Sequence, residues 1–308
     1  KKDLKDIHGF VIFDKPKGWS SQKAATRIRY LFQAKKAGHA GTLDPMATGV
    51  LIIALGRATK LLPHLVLQDK KYEACIQLGI ATDTYDAEGE ILDKKEVKDI
   101  DHKDIEAALD HFRGGYSQVP PIYSALKLDG KPLYKHAREG LKVDIKSKIR
   151  DIKIHNLDCL KYDKNLKQLS ISVHCSKGTY IRSLACDICE KLDTLGHLIS
   201  LRRIASGDFN DCDILKWSEC EDDFENYIDH IDNKENKISK YLLSIDKVFA
   251  SFPKVDISSE QYRCLIHGIK ITDVLSADND GWVRLYADDK FVAIGELKDG
   301  LLVSRKLG

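Results

Sequence analysis

The chain has 308 residues, of which 43% are hydrophobic and 31% are charged, so it can bury a substantial core and is more readily two domains than one. No apolar run reaches the length of a membrane-spanning helix, and eight cysteines at irregular spacings predict reduced thiols in a cytoplasmic protein rather than a disulfide framework. The net charge of +2 hides an asymmetry, because residues 1–210 hold 36 basic and 27 acidic side chains. This part is therefore predicted to face a polyanion.

The first predicted elements are a strand and a helix. Phe10–Phe13 is a short apolar run that indicates a strand. A helix follows, because apolar residues recur at helical spacing from Ala24 to Phe32 and because Ser20 or Ser21 can cap its start.

Residues 38–49 contain three glycines and one proline, which predicts a shaped loop rather than a helix or strand. The continuous apolar run Val50–Leu55 that follows is typical of a strand buried on both faces. Asp44 therefore lies in a rigid loop beside a core strand. From spacing alone, an ordinary turn aspartate before Pro45 explains this residue equally well.

Lys70–Gly79 alternates between apolar and polar residues, which predicts a half-buried strand with Tyr72 on its inner face. A polar turn over residues 81–89 and an amphipathic helix over residues 105–112 come next, and Gly114 and Gly115 end that helix. Between residues 118 and 140, lysines and arginines alternate with tyrosines, a pattern that suits phosphate contact and base stacking but also a solvated arm.

Two further strands are predicted at residues 152–154 and 169–173, and a helix begins near Tyr180 after a junction at Gly178 and Thr179. Cys186 and Cys189 form a C-x-x-C pair on this helix. We interpret them as buried thiols, because no second cysteine pair or histidine lies at zinc-ligand spacing in the sequence.

The end of the chain changes character twice. Residues 211–247 are acidic and poorly periodic, which predicts a linker with one or two short helices. Residues 248–308 contain strand-like runs separated by turns such as Asp-Asn-Asp-Gly, which predict a small, mainly β domain.

Several of these motifs resemble, in order, those of the bacterial TruB-type tRNA pseudouridine synthases. The matching segments are Asp-Lys-Pro-Lys-Gly-Trp-Ser-Ser at 14–21, Gly-Thr-Leu-Asp-Pro at 41–45 with Ala-Thr-Gly behind it, Lys-Lys-Tyr at 70–72, Lys-Gly-Thr-Tyr-Ile-Arg at 177–182, and residues 197–207. The resemblance implies an α+β fold with a mixed, mostly antiparallel sheet flanked by helices. It divides the chain into a catalytic domain at 1–210 with an RNA-clamping insertion near 120–150, the linker at 211–247, and a PUA-like domain at 248–308.

The resemblance also implies roles for individual residues. Asp44 would be the nucleophile that attacks ribose C1′ or base C6 or promotes a glycal route, among which the sequence does not choose. Arg182 would fork onto Asp44 and favour its ionised form, and Tyr72 would stack on the base and assist with its proton. His39, Asp86, Tyr180 and Leu201 would hold the flipped uridine.

The same resemblance implies the T-arm of tRNA as partner, with the target at position 55. The expected RNA-contacting residues are Lys15, Lys127, Lys131, Arg138, Lys177, Arg202 and Arg203. The chemistry is expected to need no metal or cofactor, and the protein is expected to be a monomer without an obligate protein partner.

Three alternatives remain open from the sequence. One is an RNA-binding or folding-assistant protein in which the basic surface, and not Asp44, carries the function. Another is a thiol or zinc enzyme that uses Cys186 and Cys189. The third is a synthase of the same chemistry that acts on another RNA.

Overall fold

The computed structural model describes residues 4–124, 126–128, 130–133, 136, 139, 145–212, 214–221, 238–267, 269, 271, 280–298 and 301–307. For residues 127–128, 131–132, 145–146 and 303–307 it describes the backbone only. Within these ranges, no helix combines the length and the apolar character needed to cross a bilayer.

The strands, numbered in chain order, are β1 (Gly9–Lys15), β2 (Ala37–Ala40), β3 (Thr48–Leu55), β4 (Lys70–Leu78), β5 (Ile80–Thr82), β6 (Ile91–Lys94), β7 (Gly114–Gln118), β8 (Lys127–Leu128), β9 (Lys131–Pro132), β10 (Arg150–Asp163), β11 (Gln168–Cys175), β12 (Gly196–Ser206), β13 (Phe209–Asn210), β14 (Leu215–Lys216), β15 (Lys254–Asp256), β16 (Gly281–Ala287), β17 (Lys290–Lys298) and β18 (Leu301–Leu307). The α-helices are α1 (Ser21–Leu31), α2 (Leu62–Val66), α3 (His102–Asp110), α4 (Ile181–Lys191), α5 (Ile245–Val248) and α6 (Ser259–Ile266). Short 3-10 helices span Gly56–Leu61, Ile145–Lys148, Trp217–Glu219 and Ser239–Tyr241.

One large mixed sheet organises the described residues up to 216. Its strand order is β14-β1-β3-β12-β4-β11-β10-β7, with β13 paired to β12 and β2 paired to β3. The β1–β14 and β3–β12 pairs are parallel, and the other pairs are antiparallel. The predicted mixed, mostly antiparallel sheet is thus confirmed.

The main core lies on one face of this sheet. Along β4, buried Tyr72, Ala74, Ile76 and Leu78 alternate with more exposed residues, as the sequence predicted. Helix α1 buries its apolar face against the sheet, and Ser20 caps it by accepting a hydrogen bond from the backbone N–H of Lys23. Helices α3 and α4 cover the same core, so this face of β4, β10 and β11 is excluded from water.

The described residues of the predicted linker at 211–247 pair with the large sheet, and they include short 3-10 helices at Trp217–Glu219 and Ser239–Tyr241. Leu215 on β14 pairs with Phe13 of β1, and the backbone groups of Leu243 and Phe10 exchange two hydrogen bonds of 2.8 Å. Apolar residues interspersed with the acidic ones supply the buried surface that the pairing needs; they are Ile214, Leu215, Cys220, Ile238 and Ile245. Residues 222–237 lie outside the described part.

The C-terminal residues form the predicted small β domain. Its sheet has the order β15-β16-β17-β18, with β15 and β16 parallel. Ile294 of this sheet packs into a second core that contains Phe10 and Ile52 from the other face of the large sheet. The His64 and Trp282 rings meet edge to face with centroids 4.1 Å apart, which adds an aromatic contact between the two domains.

The predicted insertion near 120–150 is described only in part. Strands β8 and β9 form a two-stranded antiparallel ladder, and Leu133 after them is fully buried. Most of the residues between Pro132 and Gly140 lie outside the described part of the chain.

Candidate active site

Asp44 lies in the loop between β2 and β3, and the core side of this loop is anchored by buried polar side chains. The Ser21 hydroxyl at the start of α1 donates to the carbonyl of Leu43 and accepts from its N–H, at 3.0 and 2.8 Å. The fully buried Lys15 ammonium donates to the carbonyls of Trp19 at 2.6 Å and Pro45 at 3.3 Å. These contacts hold the backbone on both sides of Asp44.

Arg203 on β12 anchors the loop from the opposite direction. Its Nε donates to the Val50 carbonyl at 2.6 Å and its Nη2 to the Gly41 carbonyl at 2.9 Å. Gly49 allows this approach, because it has φ of +100° and a Cβ there would lie 2.2 Å from the Arg203 carbonyl oxygen. The strand and the loop therefore fit together only with glycine at this position.

The burial of Lys15 and Arg203 corrects their expected role. Both were predicted to contact RNA, but they are 0% and 1% exposed and their cationic groups are occupied by backbone carbonyls. A buried cation is stable only when such acceptors replace its hydration. We therefore assign both side chains to bracing of the loop.

Arg182, in the first turn of α4, reaches Asp44. Its Nε lies 2.8 Å from Asp44 Oδ2, in an ion-pair contact without a well-aligned hydrogen bond, and its Nη2 donates to Asp44 Oδ1 at 3.3 Å. Nη1 and Nη2 also donate to the carbonyls of Thr84 at 2.9 Å and Tyr123 at 2.8 Å. The guanidinium is 4% exposed, so its position is fixed by these four contacts.

Asp86 lies behind this ion pair. It is 4% exposed, and its Oδ2 is 3.7 Å from Nη1 of Arg182. Its Oδ1 accepts from the Thr84 hydroxyl at 2.6 Å and from the Glu88 N–H at 3.0 Å. These bonds place Asp86 as a second carboxylate for the Arg182 guanidinium, which helps to hold that side chain in place.

The Asp44–Arg182 pair lies on the wall of a cavity of about 250 Å³. Tyr72, Tyr180 and Leu201 line the same cavity, as the resemblance implied for a base-binding site. Burial raises the pKa of the Tyr72 hydroxyl, although the Arg203 guanidinium beside it acts in the opposite direction. Burial also raises the pKa of Tyr180, against the effect of Arg150, whose guanidinium lies 5.4 Å from the ring centroid. Both phenols are therefore neutral at physiological pH.

The remaining predicted residues have different positions. His39, on β2, is partly exposed at the entrance to the Asp44 loop, and desolvation, together with Arg203, lowers its pKa and keeps the ring neutral. Lys177 is exposed beside the cavity.

Arg202 is not a free cation, because it forms ion pairs with Asp14 at 2.9 Å and Asp211 at 3.2 Å. For Lys127 and Lys131 only the backbone is described, and Arg138 lies outside the described residues.

Two further residues at the site were not among the predicted site residues. Gln118, fully buried at the end of β7, donates through Nε2 to the Tyr180 carbonyl at 3.0 Å and accepts at Oε1 from the Tyr180 N–H at 2.8 Å. Lys70 lines the cavity, and desolvation lowers its pKa to about 8. Only the tertiary structure shows these roles, because the partners lie far away in the sequence or are backbone groups.

Asp187 on α4 is connected to Gln118. The Tyr116 hydroxyl donates to Asp187 Oδ2 at 3.3 Å and accepts from Gln118 Nε2 at 2.6 Å. Burial raises the pKa of Asp187 to about 6, and the hydrogen bond from Tyr116 opposes this only in part. The folded state therefore binds the proton of Asp187 more tightly than the unfolded state does.

This linkage predicts a pH-dependent effect of Asp187→Asn on stability. Because the pKa is raised on folding, the wild-type free energy of unfolding falls as pH rises from about 4 to about 6, while the variant lacks this fall. The variant should gain about 2 kcal/mol relative to wild type between these limits. Urea unfolding at pH 4.5 and 7.5 measures the difference. Asp289→Asn, which changes an exposed carboxylate, is the control, and an equal pH dependence of wild type and Asp187→Asn would contradict the prediction.

The predicted burial is confirmed for Cys189, whereas Cys186 is partly exposed. Cys189 is fully buried, and the Cys186 thiol donates to the Gly196 carbonyl at 3.4 Å. Burial raises the pKa of both thiols above the ordinary value. Since the thiolate is the reactive and metal-binding form, these contacts argue against a thiol or zinc enzyme built on this pair.

Comparisons with known proteins match most of the chain. A model described as the N-terminal domain of TruB family pseudouridylate synthase matches residues 29–181. A model of the tRNA pseudouridylate synthase B C-terminal domain matches residues 182–250, and one of pseudouridine synthase II TruB, C-terminal, matches residues 253–307. These three matches follow one another in the order expected for one family.

Similar full-length proteins carry a consistent name. Proteins named tRNA pseudouridine synthase B from Francisella tularensis subsp. novicida and Francisella philomiragia are 45% and 44% identical to this chain. Each alignment covers 99% of this chain and 96% of the relative. Such coverage includes both domains, so the similarity is not confined to one of them.

Solved structures with a similar fold include a chain in the crystal structure of a Cbf5-Nop10-Gar1 complex. The TM-score is 0.70 at 25% identity, over 96% of this chain and 83% of that chain. A chain in the archaeal box H/ACA sRNP Nop10-Cbf5 complex gives 0.68 at 25% identity, over 97% and 83%. The α+β architecture with its β-rich C-terminal domain is therefore shared with these proteins.

Proposed function

The chain belongs to the TruB family of pseudouridylate synthases, and on that premise we propose that it isomerises the T-loop uridine at position 55 of tRNA with Asp44 as the nucleophile. The enzyme class is an isomerase acting within one nucleotide. The observation that supports the assignment of the nucleophile is the contact of Arg182 with Asp44, at 2.8 Å, on the wall of the cavity that Tyr72, Tyr180 and Leu201 line. A charged nucleophile beside an aromatic and aliphatic pocket suits a flipped pyrimidine.

The reaction begins with extrusion of the uridine from the T-loop, which costs a few kcal/mol unless the gap in the stack is filled. We assign this filling role to the neutral ring of His39, which lies on β2 at the entrance to the loop. Tyr72, Tyr180 and Leu201 then enclose the base. Exclusion of water around the base strengthens each electrostatic contact that Asp44 makes.

The chemical change conserves all atoms of the nucleotide. The N1–C1′ bond breaks with assistance from the Asp44 carboxylate, the uracil turns in the cavity, and C5 bonds to C1′. C5 then loses its proton and N1 carries one in the product. The net reaction needs no oxidant, reductant or second substrate, which is why we propose a mechanism by this chain's own residues.

Arg182 has a positioning and electrostatic role in this proposal. The Thr84 and Tyr123 carbonyls hold its guanidinium so that it faces the Asp44 carboxylate. Asp86 acts through Arg182 and does not line the cavity. The loop braces Lys15 and Arg203 fix the backbone of the nucleophile, so that little reorganisation is needed at the moment of attack.

The partner in this proposal is the T-arm of tRNA, recognised by a monomer in the cytoplasm. Lys177 is exposed and its neighbours Ser176 and Gly178 line the cavity, which supports a phosphate contact by this side chain. Lys127, Lys131 and Arg138 belong to the proposed RNA-clamping insertion. Sedimentation of the free protein would test the monomeric state, and a dimer at micromolar concentration would contradict it.

The decisive experiment measures tritium release from a T-arm minihelix labelled at C5 of the T-loop uridine. Wild-type protein, without added metal or cofactor, should release one equivalent of tritium per minihelix, because C5 loses its proton in the product. A minihelix with cytidine at the target position is the matched control and should bind without release.

The other outcomes separate the competing functions. Tight minihelix binding without release would favour an RNA-binding protein and contradict the catalytic proposal. Neither binding nor release would mean that the T-arm is not the substrate. Release from a uridine outside the T-loop would identify a synthase that acts on another RNA.

Tyr72→Phe distinguishes the two roles proposed for this side chain. The ring remains, so KM should stay nearly unchanged, whereas loss of the hydroxyl should lower kcat by about 10²-fold if it assists proton transfer. Single-turnover tritium release measures the effect. Tyr162→Phe, on β10 away from the cavity, is the control, and a Tyr72→Phe variant with wild-type kcat would limit Tyr72 to stacking.

A further inference from the structure

The outer face of β10 and β11 carries two histidines on adjacent strands. Ile154 pairs with Cys175 and Asn156 pairs with His174, so His155 is the extra residue of a β-bulge. The bulge turns both His155 and Asn156 to the exposed face, while Ile154 and Leu157 remain buried. His155 therefore lies beside His174 on the side of the sheet opposite the main core.

Asp69 completes a group of three side chains. It directly precedes β4, whose second residue Lys71 pairs with His174. Asp69 Oδ2 lies 3.0 Å from His155 Nε2, and the rings of His155 and His174 have centroids 4.8 Å apart. One ligand atom from each of the three residues lies within 4.8 Å of the other two.

We propose that Asp69, His155 and His174 form a surface binding site for a first-row divalent transition ion of the imidazole-preferring type, such as Zn²⁺. The site is separate from the cavity that contains Asp44 and does not depend on the proposed function. No residue of the Cys186–Cys189 pair takes part in it.

The donor set supports this choice of ion. Two neutral imidazoles and one carboxylate suit Zn²⁺, Ni²⁺ or Cu²⁺ better than Mg²⁺ or Ca²⁺, which prefer all-oxygen sites. Tetrahedral zinc with bonds of 2.0–2.1 Å needs ligand atoms about 3.4 Å apart. Partly exposed side chains on a fixed backbone can reach this by rotation of χ1 and χ2, and water can occupy the fourth position.

The proposed ion site lies where the chain segments of β4, β10 and β11 come together near the cavity. Asp69 precedes Lys70, and His174 is followed by Cys175 and Ser176; Lys70 and Ser176 both line the cavity. His155 fixes the neighbouring end of β10 to the same ion. A bound ion would therefore link the ends of β4, β10 and β11 behind the cavity wall, and is a structural ion rather than a participant in the reaction.

The test is titration of the full-length, thiol-reduced protein with Zn²⁺ by isothermal calorimetry. Wild type should bind one equivalent at this site, and His155→Ala and His174→Ala should each weaken its binding at least tenfold. Co²⁺ absorption provides a second readout, since imidazole and carboxylate ligation lacks the thiolate-to-cobalt charge-transfer band that cysteine ligation produces.

His267→Ala and Cys212→Ser are the matched controls. Each removes one exposed potential ligand elsewhere in the chain and should leave the binding of one equivalent of Zn²⁺ unchanged. Circular dichroism should show all four variants folded. The proposal would be overturned if wild type bound no zinc, if both histidine variants bound zinc as tightly as wild type, or if Cys212→Ser lost zinc binding.

Discussion

Replacing Asp44 by asparagine is expected to reduce kcat by at least about 10⁴-fold, while tRNA affinity stays within a few-fold of wild type. The amide is nearly the same size as the carboxylate and can still accept a hydrogen bond from Arg182, so the cavity keeps its shape. The asparagine amide, however, has no negative charge with which to attack or to stabilise positive charge at C1′. Tritium release and filter binding on the same preparation measure the two effects.

Two further variants define the cause of the loss. Asp44→Glu keeps the charge but moves it by one methylene, and a misplaced nucleophile should also be strongly impaired. Asp99→Asn, which changes an exposed carboxylate on the same domain, should behave as wild type. Substantial product from Asp44→Asn would contradict the assignment of the nucleophile, and loss of binding would point to a collapsed loop instead.

Arg182→Lys should lower kcat by about 10²–10³-fold with a small change in KM. Lysine supplies a point charge but cannot face Asp44 and donate to the carbonyls of Thr84 and Tyr123 at the same time.

Arg182→Met should in addition destabilise the protein by about 3 kcal/mol, because the buried Asp86 carboxylate loses its cationic neighbour. Urea unfolding and single-turnover kinetics separate the two contributions.

Chemical rescue tests whether this loss is electrostatic. Guanidinium ion at low concentration should restore part of the activity of Arg182→Ala, because the vacated space faces Asp44 in the cavity. Arg113→Lys is the matched control, since the Arg113 guanidinium also donates to a backbone carbonyl, that of Leu157, but lies outside the site. Wild-type kcat in Arg182→Lys would contradict a requirement for the guanidinium fork.

Local sequence patterns predicted much of the architecture, because many helices and strands are specified by residues that are close together in the sequence. The alternation in β4, the cap of α1 at Ser20 and the buried run of β3 are short-range features, and all three are confirmed. The carbonyls that Lys15 and Arg203 bind cannot be identified in this way. Both are basic residues of the kind expected at a nucleic-acid surface. Only the folded chain shows that Lys15 on β1 binds the Pro45 carbonyl and that Arg203 on β12 binds the Gly41 carbonyl.

The same limit explains why the pairing of the acidic segment at 211–247 with the large sheet was not predicted. Charged residues dominate its composition, while pairing with β1 requires only two strand residues, Leu215 and Lys216. Trp217 then packs on Trp19 with ring centroids 4.8 Å apart. So few buried contacts leave no periodic signal in the sequence, although they are enough to join the segment to the large sheet.

The anchoring of the Asp44 loop by Arg203 has a consequence for folding. The bond from the Arg203 guanidinium to the Gly41 carbonyl joins residues 162 positions apart. During synthesis the N-terminal half is exposed first, and such non-local contacts carry the highest loop-closure cost. The Asp44 loop can therefore reach its final geometry only after β12 has entered the sheet. A nascent or truncated chain that ends before Arg203 would lack this anchor, and we expect it to be inactive.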